Sequence, residues 1–188
     1  MREQQLMEAS TVTLQSGRIV SIRPLQESDH EAFLAFGGML PEDDWLYLEQ
    51  DLRSPEIVTR LVNASVAENW RQFVALSDGV IVGYCAIQRL PGWSDHVGDI
   101  YLVVRKDWRR SGLGSILARN IFAVARELNV TKLVVEMLGD HNDGRAIFKR
   151  LGFRVEGTLS DHARDRHGRH HDMLILAYHV PEIPAKEE

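Results

Sequence analysis

A chain of 188 residues that is 44% hydrophobic can bury one substantial core and is short for two domains of ordinary size, so residues 1–188 are expected to form a single domain with flexible tails at 1–10 and 181–188. Its 27 acidic residues outnumber the 22 basic ones, for a formal charge of -5, and no long basic run occurs, which removes the electrostatic basis for binding nucleic acid. With Cys85 as the one cysteine, no apolar signal core and no run of about 18 apolar residues, disulfides, secretion and membrane spanning are disfavoured and a cytoplasmic protein is expected.

In chain order, "TVTLQSGRIVSIRPL" reads as two short strands around the Ser16-Gly17 turn. Asp29 is placed to cap a helix that starts near His30 and ends at Gly37 and Gly38. A second helix begins after Ser54, an N-cap, with Pro55 in the first helical position and Ile57, Leu61 and Val62 at helical spacing; Asn69 is expected to close it. "QFVALS", Asp78-Gly79 and "VIVGYCAIQ" form a hairpin, and Cys85 within it packs as a small hydrophobe. After "LPGWSDH" breaks the pattern, "DIYLVV" is apolar on both faces, as a central strand is.

A charged connection, Arg105 to Ser111, leads into the longest helix, whose apolar face runs from Leu113 to Leu128 and which Asn129 stops in a left-handed conformation. "TKLVVEM" follows as a buried strand, so strand, helix and strand make one right-handed crossover with the two strands parallel. "NDGRAIFKRLGF" gives a shorter helix ended by Gly152, and "FRVEGTL" and "DMLILAYHV" are two last strands joined by a polar loop. The fold class is therefore α+β, or mixed α/β: a largely antiparallel sheet with one parallel β-α-β crossover and helices packed on both faces.

The stretch "WRRSGLGSIL" carries the chemistry. Glycines just before a helix let backbone N–H groups converge on a ligand, and the helix start adds partial positive charge, so a diphosphate is a suitable occupant. Arg109 and Arg110 can add charge-assisted bonds, and Ser115 can bond from the first turn. A solvated turn with a helix cap explains the same residues and stays open. The triphosphate loop is excluded because "GLGS" has no lysine. A dinucleotide fingerprint would need a third glycine where Leu117 stands and a first glycine directly after the strand; Glu136 could mimic its ribose-binding acid, but that reading ranks behind.

"VVRKDWRRSGLGSILARNIFAVARELNVTKLVVEM" resembles the acetyl-CoA-binding core of the GNAT acetyltransferase superfamily, whose signature Arg/Gln-x-x-Gly-x-Gly/Ala falls here on Arg109, Gly112 and Gly114. The likeness extends from "SIRPLQESD" to "FKRLGFRVEG". It implies a GNAT-like fold and main-chain donors along Arg110, Ser111, Gly112, Leu113, Gly114 and Ser115 for the pyrophosphate of coenzyme A. It also implies that "DIYLVV" and "TKLVVEM" splay apart, with pantetheine lying beside Leu102, Val103 and Val104 as an added strand.

Acetyl transfer to an amine needs a base, since an unperturbed lysine-type amine has a pKa of ~10.4. Asp99 is the candidate, on the same face as Tyr101 by alternation, and resembles the place of a glutamate in the protein-lysine acetyltransferase branch. A solvated acid at a strand end is the plain alternative; Asp95 and His96 upstream are ordinary loop polar residues. The Leu102 amide is the candidate oxyanion donor. Where many relatives carry a tyrosine acid this chain has Phe148, which leaves Tyr101 or solvent to protonate the thiolate. The family's asparagine ahead of that helix falls on His141, with Asn142 beside it as the cofactor contact.

His162, His167, His170 and His171 are irregularly spaced and read as a charged hairpin loop, so no metal is expected. "MLPEDDWLYLEQD", with Trp45 and Tyr47, would suit recognition of a cationic amine, but reads more simply as a solvated helical turn with two core aromatics. The expected function is an acetyl-CoA-dependent N-acetyltransferase acting on a primary amine, small molecule or protein, by direct attack in a ternary complex. A catalytically inactive coenzyme A-binding module is the alternative. The resemblance adds a homodimer, common among such proteins.

Overall fold

The computed structural model describes residues 9–41, 44 and 50–181. Strands β1 Ser10–Thr13, β2 Ile19–Pro24, β3 Trp70–Ser77, β4 Val80–Arg89, β5 Val97–Val104, β6 Lys132–Leu138, β7 Arg154–Arg164 and β8 His170–His179 join helices α1 His30–Gly38, α2 Pro55–Asn63, α3 Leu113–Glu127 and α4 Asn142–Arg150. The strands form one eight-stranded sheet in the order β1-β2-β3-β4-β5-β6-β8-β7. Every pairing is antiparallel except β5 with β6, the two strands that flank α3. Most of the expected tails, and Trp45 and Tyr47, lie outside the described residues.

Local chemistry explains most element boundaries. Asp78 (φ 49°) and Gly79 (φ 78°) are both left-handed, the geometry that matches a two-residue turn to twisted strands, and Ser77 pairs with Val80 across it. The Ser54 hydroxyl accepts the Ile57 N–H at 3.4 Å, and Pro55 opens α2 at no hydrogen-bond cost. Asn129, at φ 54°, follows α3 as a left-handed stop.

Three boundaries differ from expectation. Asp29 precedes α1, but its carboxylate does not cap the helix: it receives both Arg23 terminal nitrogens at 2.7 Å and the Gln26 N–H at 2.9 Å. Asn69 does not close α2, which ends at Asn63; its side chain instead donates to the Arg89 carbonyl beside the hairpin. The polar run between the last strands is mostly strand, because β7 continues to Arg164 and β8 starts at His170. Only the turn between them remains, and Asp165 closes it by accepting the amides of His167 and Arg169 at 2.8 and 2.9 Å.

The sheet has a core on each face. One gathers α3 and α4 over Cys85, Ile87, Ile100 and Leu133; the other gathers α1 and α2 over Trp70, Val74, Tyr84, Ala86 and Val103. Leu113, Leu117, Ile121 and Val124 of α3 are all buried, each contributing ~1.5–3 kcal/mol relative to exposure. Gly83 lets α3 come close, since a Cβ there would stand 3.0 Å from a Leu117 methyl. Among the described residues no helix is long and apolar enough to cross a membrane.

Candidate active site at the parting of the parallel strands

β5 and β6 pair only at Val97 with Lys132, Gly98 with Leu133 and Asp99 with Val134. Beyond Asp99, β5 stays bonded to β4 as far as Val104 while β6 follows β8, so the two strands part. The Val97 carbonyl and the Arg105 amide both bond towards β4. Alternation along an antiparallel pair then turns the main-chain groups of Ile100 and Leu102 away from β4: the last rung, Asp99 with Val134, takes the Ile100 amide, while the Ile100 carbonyl and the Leu102 amide and carbonyl face the parting. Leu102 therefore offers a main-chain donor there. Val103 does not: its main chain faces β4 and its side chain is buried under α1 and α2.

The mouth of α3 stands at the open end. Arg110 (φ 57°) and Gly112 (φ 90°) are left-handed, and no side chain caps the helix, so the amides of Leu113, Gly114 and Ser115 lack intrahelical partners. A Cβ at Gly114 would stand 3.0 Å from Ile147 Cδ1 of α4, and at Gly112 it would meet only ordinary contacts. Gly114 thus keeps a narrow approach open, whereas Gly112 is required for its backbone angle. The start of α4 lies beside this mouth, with Asp143 3.5 Å from Arg110.

One expected side-chain contact, that of Arg109, is committed inside the protein instead. Arg109 Nε donates to the Val104 carbonyl at 3.0 Å and its Nη2 pairs with the buried Asp44 carboxylate, which ties the loop to β5 and to the segment after α1. The Ser111 hydroxyl donates to the Trp108 carbonyl at 2.6 Å. Both side chains shape the mouth, and the Ser111 hydroxyl bond leaves that residue's amide, the expected contact, untouched. Arg110 is largely exposed, and the Leu113 side chain is fully buried, so only its amide faces the mouth.

Behind the mouth runs a cleft of about 580 Å³, counting its solvent-open part, between β5, β6 and α4. Asp99, Tyr101, Leu102 and Phe148 line it, as do Glu136 and His141. Phe148 packs edge-on to Phe153, with centroids 5.0 Å apart, and brings no hydroxyl. Asn142 is exposed and is not among the lining residues; its neighbour His141 takes that place. Gly144 makes room for the imidazole, as a Cβ there would fall 2.7 Å from Nδ1. Burial first, and then the nearby Arg109 charge, hold His141 below its ordinary pKa and so neutral at pH 7.

Glu136 is the group missed by sequence reasoning as an acid or base. Asp99 is opposite Val134, so alternation puts Glu136, two residues on, on the Asp99 and Tyr101 face. That same count was available in "TKLVVEM" once the strands were taken as parallel. Among the described residues no group of three or more His, Cys, Asp or Glu is arranged to hold a metal.

An open sheet parted at its one parallel pair, with unpaired main-chain groups inside and a helix mouth at the entrance, defines a protein built to hold an extended anionic ligand. Residues 27–153 match the family model "Acetyltransferase (GNAT) family". The chain belongs to the GNAT acetyltransferases, enzymes that take their acetyl group from acetyl-CoA. Over 90 residues it is 34% identical to "Probable N-acetyltransferase 14" of Danio rerio, covering 47% of this chain and 31% of that protein. The chain thus spans under a third of that relative's length. The GNAT domain of S. lividans PAT superposes with a TM-score of 0.78 at 18% identity, covering 95% of this chain and 100% of that one. The structure of yncA from Salmonella typhimurium with its cofactor acetyl-CoA superposes at 0.75 and 16% identity, covering 89% and 98%.

Proposed function

We propose that this chain transfers acetyl from acetyl-CoA to a primary amine by direct attack in a ternary complex, in a cytoplasmic setting. The observation that carries the reading is the parting of β5 from β6 beyond Asp99, which leaves the Leu102 amide facing the cleft. The α3 mouth fits a diphosphate, and the Ile100 carbonyl with the Leu102 main chain fits a pantetheine arm. Bound acetyl-CoA supplies a thioester whose carbonyl carbon bonds the neutral amine as the C–S bond breaks and the thiolate leaves.

This chain's residues then manage charge and protons. Asp99 takes the ammonium proton before attack, and Glu136 stands on the same face as the second carboxylate. The Leu102 N–H donates to the carbonyl oxygen as negative charge gathers on it. Of the two protons the nitrogen loses, one ends on the thiolate sulfur, with Tyr101 as a phenol-bearing residue lining the cleft, and the other goes to solvent. A homodimer belongs to the same reading, and sedimentation velocity reads it directly.

Thiol release from acetyl-CoA across a panel of amines tests the proposal. Asp99→Asn is expected to lower kcat by about 10²–10⁴ with coenzyme A affinity intact, and to move the ascending, acid-side limb of the pH profile. If Glu136→Gln shows that loss and Asp99→Asn does not, the base is Glu136. Tight coenzyme A binding with no amine turned over would instead favour the inactive module, the reading that Phe148 motivates.

A further inference from the structure

Cross-strand pairing lays out the sheet face beneath α2. Trp70, Gln88 and Asp99 form one row across β3, β4 and β5; Gln72, Ala86 and Tyr101 form the next. Directly paired residues share a face, so Trp70 lies in the row of the candidate base, two strands away, or about 10 Å. α2 and the residues before it cover this face, leaving a small cleft of about 260 Å³, counting its open side. Gln50, Leu52, Leu61, Trp70, Tyr84 and Tyr101 line it. Tyr101 also lines the larger cleft between β5 and β6, so the two spaces share that residue.

Two polar atoms on residues lining the small cleft are closed off from solvent and have no hydrogen-bond partner: the Trp70 indole N–H and the Gln50 side-chain oxygen. Trp70 is only 9% exposed. Folded proteins rarely leave such groups unpaired. Gln72 shows that this face can satisfy its polar groups, donating to the Leu61 carbonyl and accepting the Tyr84 hydroxyl, both at 2.7 Å. One unpaired donor and one unpaired acceptor therefore belong to residues that line the same cleft, and no charged side chain lines it among the described residues.

We propose that this cleft recognises the acetyl acceptor and selects amines whose substituent carries an uncharged donor and acceptor side by side, that is, a carboxamide. This rests on the acetyltransferase reading and names its substrate class. The carbonyl of the carboxamide takes the Trp70 N–H, and its N–H goes to the Gln50 oxygen. A carboxylate brings only acceptors, which confront the Gln50 oxygen. A second ammonium brings only donors and finds no carboxylate among the described lining residues. An apolar group leaves both protein atoms unpaired.

Four amines of similar size test this with acetyl-CoA: alaninamide, alanine, 1,2-diaminopropane and 3-methylbutan-2-amine. Alaninamide is expected to exceed the others in kcat/KM by about 10-fold. That ratio, taken within each protein, is expected to fall below about 3-fold in Trp70→Phe and in Gln50→Leu, the second variant serving if the first does not fold. In the unaltered protein, alaninamide with coenzyme A is expected to shift the Trp70 indole N–H resonance downfield. Equal kcat/KM for all four amines, or a preference that both variants keep, overturns the proposal and leaves the acetyltransferase reading standing. If no amine releases thiol, that reading fails, and the indole resonance alone decides: a shift supports the pocket, and a signal that alaninamide does not move overturns it.

Discussion

At φ 90°, Gly112 holds a conformation that costs a residue with a side chain about 1–2 kcal/mol, and a β-branched one more. Gly112→Val is therefore expected to weaken coenzyme A binding at least 10-fold by calorimetry, because the amides that follow would turn with it. Cys85 gives a second expectation. It is fully buried and its thiol is pushed up in pKa by that burial, so it is a poor nucleophile. Native protein should not react with a thiol reagent until it unfolds, and Cys85→Ala should keep thiol release, as direct attack requires and an acyl-cysteine route forbids. Both residues could be read from sequence: a glycine before a helical face, a lone cysteine in an apolar strand. His141 could not, because its importance comes from the space that Gly144 leaves, which spacing along the chain does not reveal.

At the scale of elements, Arg23 on β2 clamps the turn into α1 through Asp29. Burial raises the Asp29 pKa, but the Arg23 bonds, the Gln26 amide and the Arg23 charge outweigh it and leave the group below its ordinary value. A carboxyl lowered on folding stabilises the protein above its unfolded pKa and loses that contribution as pH falls through the folded one. Asp165 is lowered too: burial raises it, and the Arg169 and His167 amides, the Arg169 guanidinium and His171 overcome that. Thermal midpoints should accordingly hold above about pH 5 and fall below about pH 4, less steeply in Asp29→Asn. Asp29→Ala should cost about 1–3 kcal/mol, short of a fully enclosed pair because Arg23 stays partly in water. Sequence placed these elements well where periodicity and turn chemistry agree, as at Asp78-Gly79 and α3. It missed where a cap-type residue had a stronger partner elsewhere: Asp29 with Arg23, Asn69 with Arg89.

For the whole molecule, the order of elements was enough to expect a mostly antiparallel sheet with one parallel crossover, and the glycine pair located the mouth. Two features were not legible. One is the commitment of Arg109 to Asp44 and Val104, since a basic residue in such a loop looks the same in sequence whether it faces the ligand or its own chain. The other is the set of side chains under α2, which depends on the register of three strands.

The pairing of β5 with β6 is confined to three registers, so strands β1 to β5 on one side and β6, β8 and β7 on the other share only those rungs. The donor, lying along the gap, would complete the ladder and become a ninth rail of the scaffold that holds it. The Leu102 amide should exchange with deuterium quickly in the free protein and slowly once coenzyme A is added. Melting should rise with ligand concentration, by ~2.7 kcal/mol at one hundred times Kd. On this account the chain is a sturdier object while it is loaded, and each round of turnover passes through its loosest form when the spent thiol departs.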